Sequence, residues 1–246
     1  MSLARRPFLA FAGLALLPLA RRAGAADALV TGSGVAATQR RDVGAFAGVG
    51  LGAPFTVVLR PGPREAIEIA ADDNILALVQ TTVNGSGNRR SVQIDLPRDT
   101  RIEPRTPVVV TIDYVRIDHL GIGGSGSIAA RAMKVAELEA AIGGSGKIDL
   151  PELDAGKLSV AIGGSGTLRA DGRARTLSVT IGGSGRCDAE RLVAGDVSVS
   201  VAGSGDARVR AETTLQASIA GSGDVYHTGA AVPQVAIVGS GRIKRL

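Results

Sequence analysis

Residues 160–168 read Val-Ala-Ile-Gly-Gly-Ser-Gly-Thr-Leu, and this stretch decides the fold. Val160 and Ile162 are apolar and spaced by two. A glycine-rich corner follows, then Leu168 resumes the apolar set. The pattern recurs. Gly-Ser-Gly occurs with its serine at Ser125, Ser145, Ser165, Ser184, Ser204, Ser222 and Ser240. The spacings are 20, 20, 19, 20, 18 and 18 residues. Three residues before each serine stands Ile122, Ile142, Ile162, Ile181, Val201, Ile219 or Ile237. Three residues after stands Ile128, Ile148, Leu168, Cys187, Ala207, Val225 or Ile243.

Apolar residues alternating at period two mark half-buried strands. Two short strands around one corner cannot bury a face alone, but stacked coils can, each apolar column becoming an internal ladder. The sequence predicts an all-β chain: a parallel β-solenoid, right-handed, with seven regular coils over residues 119–246. Glycine suits a corner where φ is positive or where backbones stack closely. The residue before each Gly-Ser-Gly is Gly123, Gly143, Gly163, Gly182, Ala202, Ala220 or Val238, so only the two glycines around the serine look obligatory.

Residues 26–118 lack the period yet still read as β, with strands expected at Phe55–Arg60, Ala66–Ala70, Ser91–Leu96 and Pro107–Tyr114. Asp72 and Asp73 before Asn74–Gln80 predict a capped short helix. This segment is read as irregular coils plus a cap for the first coil, since an open edge pairs with other chains. No linker composition appears near residue 118, so residues 26–246 form one domain.

The chain has 246 residues, 34 of them glycine, with 45% apolar and only 2% aromatic residues. Apolar content this high argues against disorder, and the missing rings argue against a stacking platform for single strands or sugars. The formal charge of +5 has a local origin. Residues 1–25 hold four arginines and no acid, so 24 basic and 23 acidic side chains remain beyond them. That near-neutral balance points away from nucleic acid. Residues 1–25 read as a secretory leader: Arg5-Arg6, an apolar run from Phe8 to Ala20, and an A-x-A site ending at Ala25. Arg5-Arg6 also resembles a twin-arginine motif, and both export routes stay open. The single cysteine excludes an internal disulfide. An exported chain without stable membrane insertion follows, in the periplasm or outside the cell.

A calcium β-roll needs Asp where this chain has Ile148, so no metal is expected. His119 and His227 fall in distant coils and are read as solvated or edge residues. Cys187 falls in an apolar column and is read as a small core residue. The seven serines form a row. Without a recurring base they are not nucleophiles. They make a stacked polar corner or a ligand row backed by an anion-binding nest of backbone N–H groups. Lys147, Arg169, Arg186, Asp188, Asp206 and Arg208 project outward with mixed signs and no acid–base pairing. Gly121, Ala141, Ala161, Thr180, Ser200, Ser218 and Ala236 form a strip of small outward residues, either covered by the N-terminal segment or docking a partner.

One resemblance joins these features. Ala45-Phe46-Ala47-Gly48-Val49, the strand ending Arg60-Pro61-Gly62, Ala71-Asp72-Asp73-Asn74-Ile75-Leu76 and the repeated xVxIxGSGxI resemble the putative auto-transporter adhesin, head GIN domain family. The resemblance implies an exported, solenoid-like domain and, by its name, adhesion. No pattern for a C-terminal translocating barrel is present, so that half of the name is not expected to apply. The function expected is a non-enzymatic binding, adhesion-like or structural module at the cell envelope, without cofactor. Its partner is an envelope protein or a glycan, and the residues set no oligomeric state. The alternatives are a glycan-active β-helix enzyme, and a filament assembled through the last coil, where Arg242, Lys244 and Arg245 oppose edge pairing.

Overall fold

The computed structural model describes residues 28–87 and 90–246. The expected leader and its expected cleavage site at Ala25 lie outside the described residues. The chain is all-β, with parallel coils stacked into a β-solenoid. The strands are β1 (Ala28–Thr31), β2 (Ala36–Arg41), β3 (Gly48–Leu51), β4 (Thr56–Pro61), β5 (Ala66–Asp72), β6 (Gln80–Asn84), β7 (Ser91–Asp95), β8 (Thr100–Glu103) and β9 (Val109–Tyr114). They continue as β10 (His119–Ile122), β11 (Ser127–Ala130), β12 (Met133–Ile142), β13 (Lys147–Ile162), β14 (Thr167–Ile181), β15 (Arg186–Gly203), β16 (Asp206–Gly221), β17 (Asp224–Thr228), β18 (Pro233–Gly239) and β19 (Arg242–Arg245). Among the described residues a single short helix, α1, spans Asp73–Leu76.

The register of the repeat is the one its alternation demands. Ile148 pairs with Leu168, Val160 with Val179 and Ile162 with Ile181, and each column continues upward through Cys187, Val199 and Val201. These residues are buried, and one contiguous cluster of buried side chains runs from Phe46 to Ala231. Burying such ladders contributes roughly 25 cal/mol per Å² of apolar surface, the main favourable term for a stack whose layers touch only their neighbours.

The corners close by backbone contact. A Cβ at Gly164 would meet the carbonyl oxygens of Gly144 and Gly143, whereas one at Gly163 meets nothing. Close stacking therefore accounts for the two glycines flanking the serine in the four Gly-Gly-Ser-Gly corners, and not for the glycine before them. From Gly203 onward the first glycine is stacked as closely and in addition turns to positive φ: +142° at Gly203, +138° at Gly221 and +125° at Gly239. These are the corners preceded by Ala202, Ala220 and Val238.

The N-terminal part is more ordered in layers than its sequence suggests, and its layers are out of chain order. β3 lies between β7 and β10, and β4 lies between β9 and β11, all in parallel. The chain thus lays residues 48–61 first. It then places residues 91–114 beneath them and crosses back above to start the regular repeat. Antiparallel β5 closes the free edge of β9, β6 closes that of β7, and β2 covers β5.

The helix departs from expectation. It ends at Leu76 rather than reaching Gln80, and Asp72 makes no capping bond to it. Its buried carboxylate instead accepts the N–H groups of Gly34 at 3.0 Å, Arg105 at 2.8 Å and Thr106 at 3.1 Å. The cap residue thereby became a tie between two loops of the N-terminal end. The strip from Ala161 to Ala236 is exposed, so the N-terminal segment does not cover it: that segment caps the end of the stack, not its side.

Candidate functional site

An open groove of about 1380 Å³ lies where the N-terminal layers meet the repeat. It begins with β3. Val49 and Leu51 point inward and are buried, which leaves Gly48 and Gly50 to face outward. Without side chains there, the sheet face drops to backbone level. The next coils add Gly121 and Ala141 to the floor, and Gly121 has open space above it.

Neighbouring side chains lie across this floor. The His119 ring sits over Gly48 and the Gln93 amide over Gly50, at positions where any Cβ would collide with them. The segment 115–118 forms one wall and residues 134–139 the other. An ion pair holds the first wall. Asp118 accepts from Arg116 Nη2 at 2.9 Å through one oxygen, and its other oxygen lies 2.8 Å from His119 Nδ1. Lys134, Lys157, Glu137 and Glu139 add both signs of charge. Tyr114 lines the inner end, its hydroxyl donating to the Ala132 carbonyl at 3.4 Å. Burial raises its pKa, so the phenol stays neutral at physiological pH.

The groove is open, lined by both polar and apolar side chains, and of mixed sign. Such a surface holds a ligand by many hydrogen bonds rather than by one deep apolar anchor. The Asp118–His119 pair orients an imidazole, yet among the described residues no serine hydroxyl bonds to that ring.

The seven serines lie elsewhere. They stand exposed along one corner of the stack. From Ser145 onward their backbone N–H groups bond to the coil before: Ser145 N donates to Gly124 O at 3.1 Å, and Ser165 N to Gly144 O at 3.1 Å. The row therefore presents hydroxyls to solvent, while those N–H groups are spent between coils. His119 is half-buried in the groove. His227 differs from its expected solvated place: it falls in the inward column above Val209 and is buried, with Nδ1 unpartnered. Its ladder parity points inward, and that outweighs its polarity. Cys187 is buried, and burial together with the Asp188 carboxylate pushes its thiol up to about 12, which makes it unreactive.

The groove itself was missed by reading the repeat alone. Its signal is present in Gly48-Val49-Gly50-Leu51-Gly52, where every outward position is glycine. What no pattern reveals is that β10 and β7 flank this strand.

Solved structures share the fold. A protein described as a putative adhesin from Bacteroides fragilis matches 88% of this chain and all of its own, at 22% identity and a TM-score of 0.81. One described as a putative lipid binding protein from Parabacteroides distasonis matches 89% of this chain and 99% of its own, at 20% identity and a TM-score of 0.73. A putative adhesin from Parabacteroides merdae matches the same shares at 18% identity and a TM-score of 0.68. No curated protein matches this sequence. Residues 45–231 match the family described as putative auto-transporter adhesin, head GIN domain, which spans the groove and all but the last coil, and the chain belongs to that family.

Proposed function

We propose that the protein is an exported, non-enzymatic binding module of the cell envelope and that the glycine-floored groove receives its ligand, an envelope glycan. The carrying observation is the groove: a floor open above Gly121 and continued by Ala141, with His119 and Gln93 lying over Gly48 and Gly50 and with Glu139, Ser159 and Lys157 beside it. Amide, imidazole, hydroxyl, carboxylate and ammonium groups around a flat floor complement a chain of sugar hydroxyls. Adhesin-like relatives and a rigid solenoid scaffold support the same reading.

The test uses Gly121. Open space above it admits a side chain without moving the sheet. Gly121→Leu is expected to fill the floor and weaken binding to purified envelope polysaccharide at least tenfold, with an unchanged melting curve. Retention of binding by Gly121→Leu and by Lys157→Glu overturns the assignment of the groove. Release of new reducing or unsaturated ends from the polysaccharide overturns the non-enzymatic reading.

A further inference from the structure

One hydrogen-bonding atom in the groove has its polarity fixed by its neighbours. His119 begins β10, and alternation along that strand turns it outward, since Leu120 and Ile122 are buried. Gly48 stands beside it in register on β3. With no side chain at that position, the imidazole lies down across β3, and a Cβ on Gly48 would collide with its Nε2, Cε1 and Cδ2.

Asp118 sets the tautomer of that ring. One carboxylate oxygen lies 2.8 Å from His119 Nδ1, and the other accepts from Arg116 Nη2 at 2.9 Å. A carboxylate only accepts, so the proton between Asp118 and the ring belongs to Nδ1. In the neutral ring Nε2 then carries a lone pair and no proton, and the carboxylate behind it makes it a better acceptor. Among the described residues the buried side-chain atoms left unpartnered are His227 Nδ1 and Thr228 Oγ1. His119 Nε2 is not one of them and bonds to no described residue, so it opens on the groove. Glu139, exposed and in register with His119 on the next coil, sets a second acceptor beside the first.

We infer that His119 Nε2 accepts the O–H of one ligand hydroxyl, and that the groove therefore selects glycans free at that hydroxyl over O-acetylated or O-methylated ones. The inference rests on the groove being the glycan site. Substituting the oxygen removes the proton that Nε2 needs, so two acceptors meet and the imidazole has lost its water for nothing. A site built to bond a hydroxyl rejects the ligand that lacks it more strongly than an apolar pocket rejects a misfit. Lys157, on the groove's other side, donates to an ether or ester oxygen as it does to a hydroxyl oxygen, so the choice falls to His119.

The test compares native and O-methylated envelope polysaccharide. The wild type should bind the native form at least tenfold more tightly. His119→Phe keeps a ring over Gly48 but offers no acceptor, so it should narrow that preference at least fivefold with an unchanged melting curve. Bulk alone would leave the preference in place. Nitrogen-15 spectra of the wild-type imidazole at about pH 8.5 should place the proton on Nδ1, with an Nε2 signal that moves when native polysaccharide is added. An equal affinity of the wild type for both forms, a preference that survives in His119→Phe, or a proton on Nε2 overturns the inference. The groove reading stands through those outcomes as long as Gly121→Leu weakens binding. No binding of either form, or binding that Gly121→Leu leaves intact, overturns the groove reading and this inference with it.

Discussion

At Gly164 and Gly163, adjacent glycines differ entirely in what they do. The first has carbonyl oxygens of the coil below where a Cβ would sit, and the second has empty space. Gly164→Val is expected to cost more than ~1 kcal/mol, because backbone cannot yield as a side chain can. Gly163→Ala should leave stability unchanged or raise it by about 0.4–1 kcal/mol, by restricting the unfolded chain. Paired melting curves check both. The distinction was legible in the sequence, since Ala202, Ala220 and Val238 stand where Gly163 does. Its physical cause was not, because crowding between layers depends on which carbonyl lies beneath. His227 makes the opposite case. Burial and the nearby Arg245 charge hold its pKa below the ordinary value of about 6.5. The folded state then binds fewer protons than the unfolded one, so stability is full above that value and falls as pH drops through it. Urea midpoints between pH 7.5 and 5.5 should fall in the wild type and flatten in His227→Leu.

At the scale of elements, the corner changes in two steps along the stack: the first glycine turns to positive φ from Gly203, and the hydrogen bonding shifts one corner later. In the lower corners the residue after Gly-Ser-Gly donates to a glycine carbonyl, as Lys147 N does to Gly126 O at 3.0 Å. In the last two, the second glycine takes that role: Gly223 N donates to Gly203 O at 3.1 Å and Gly241 N to Gly221 O at 3.0 Å. The following N–H groups then need other acceptors, and carboxylates supply them. Asp206 Oδ1 accepts from Asp224 N at 3.1 Å, and Asp224 Oδ1 accepts from Arg242 N at 3.0 Å. The fall in spacing to 18 residues accompanies this change. Asp224→Ala removes the acceptor for Arg242 and the partner of Lys244, and it should destabilise the last coil by about 1–3 kcal/mol. Hydrogen exchange at β19 is the direct measure. The N-terminal strands were partly legible: β4, β5, β7 and β9 fall where alternation placed them, within one or two residues. β2, β3, β6 and β8 did not stand out. β3 alternates glycine with apolar residues, and β2 and β6 are largely polar strands at the rim.

At the scale of the whole molecule, antiparallel strands cap the N-terminal end of the stack, whereas among the described residues β18 and β19 have a layer on one side only. A solenoid layer is held only by its neighbours, so stability should fall toward that layer. Amide exchange is expected to be slowest in β13–β15 and fastest in β18 and β19. The closed end depends on Asp72. Burial opposes its ionisation, but the N–H groups of Thr106, Arg105 and Gly34 overcome that and hold its pKa below the usual carboxylate value. Its contribution is present above that usual value and is lost as pH falls through the lowered one. Asp72→Ala should leave three N–H groups without their acceptor and loosen the 32–34 and 105–106 loops first, visible as selective exchange there.

The amino-acid sequence by itself determined the β class, the stacked repeat, the inward columns and the obligatory corner glycines. Each of these follows from a period of two within strands and of 18–20 residues between them, and such periods are local properties that any chain order preserves. It also marked the family, through motifs spread along most of the chain. Only the tertiary structure decided that residues 48–61 lie between residues 91–114 and the repeat, that Asp72 ties loops instead of capping a helix, and that glycines on β3 open a groove beside His119. Those features arise between segments distant in sequence, where adjacency is set by which edge remains free once the regular coils have packed.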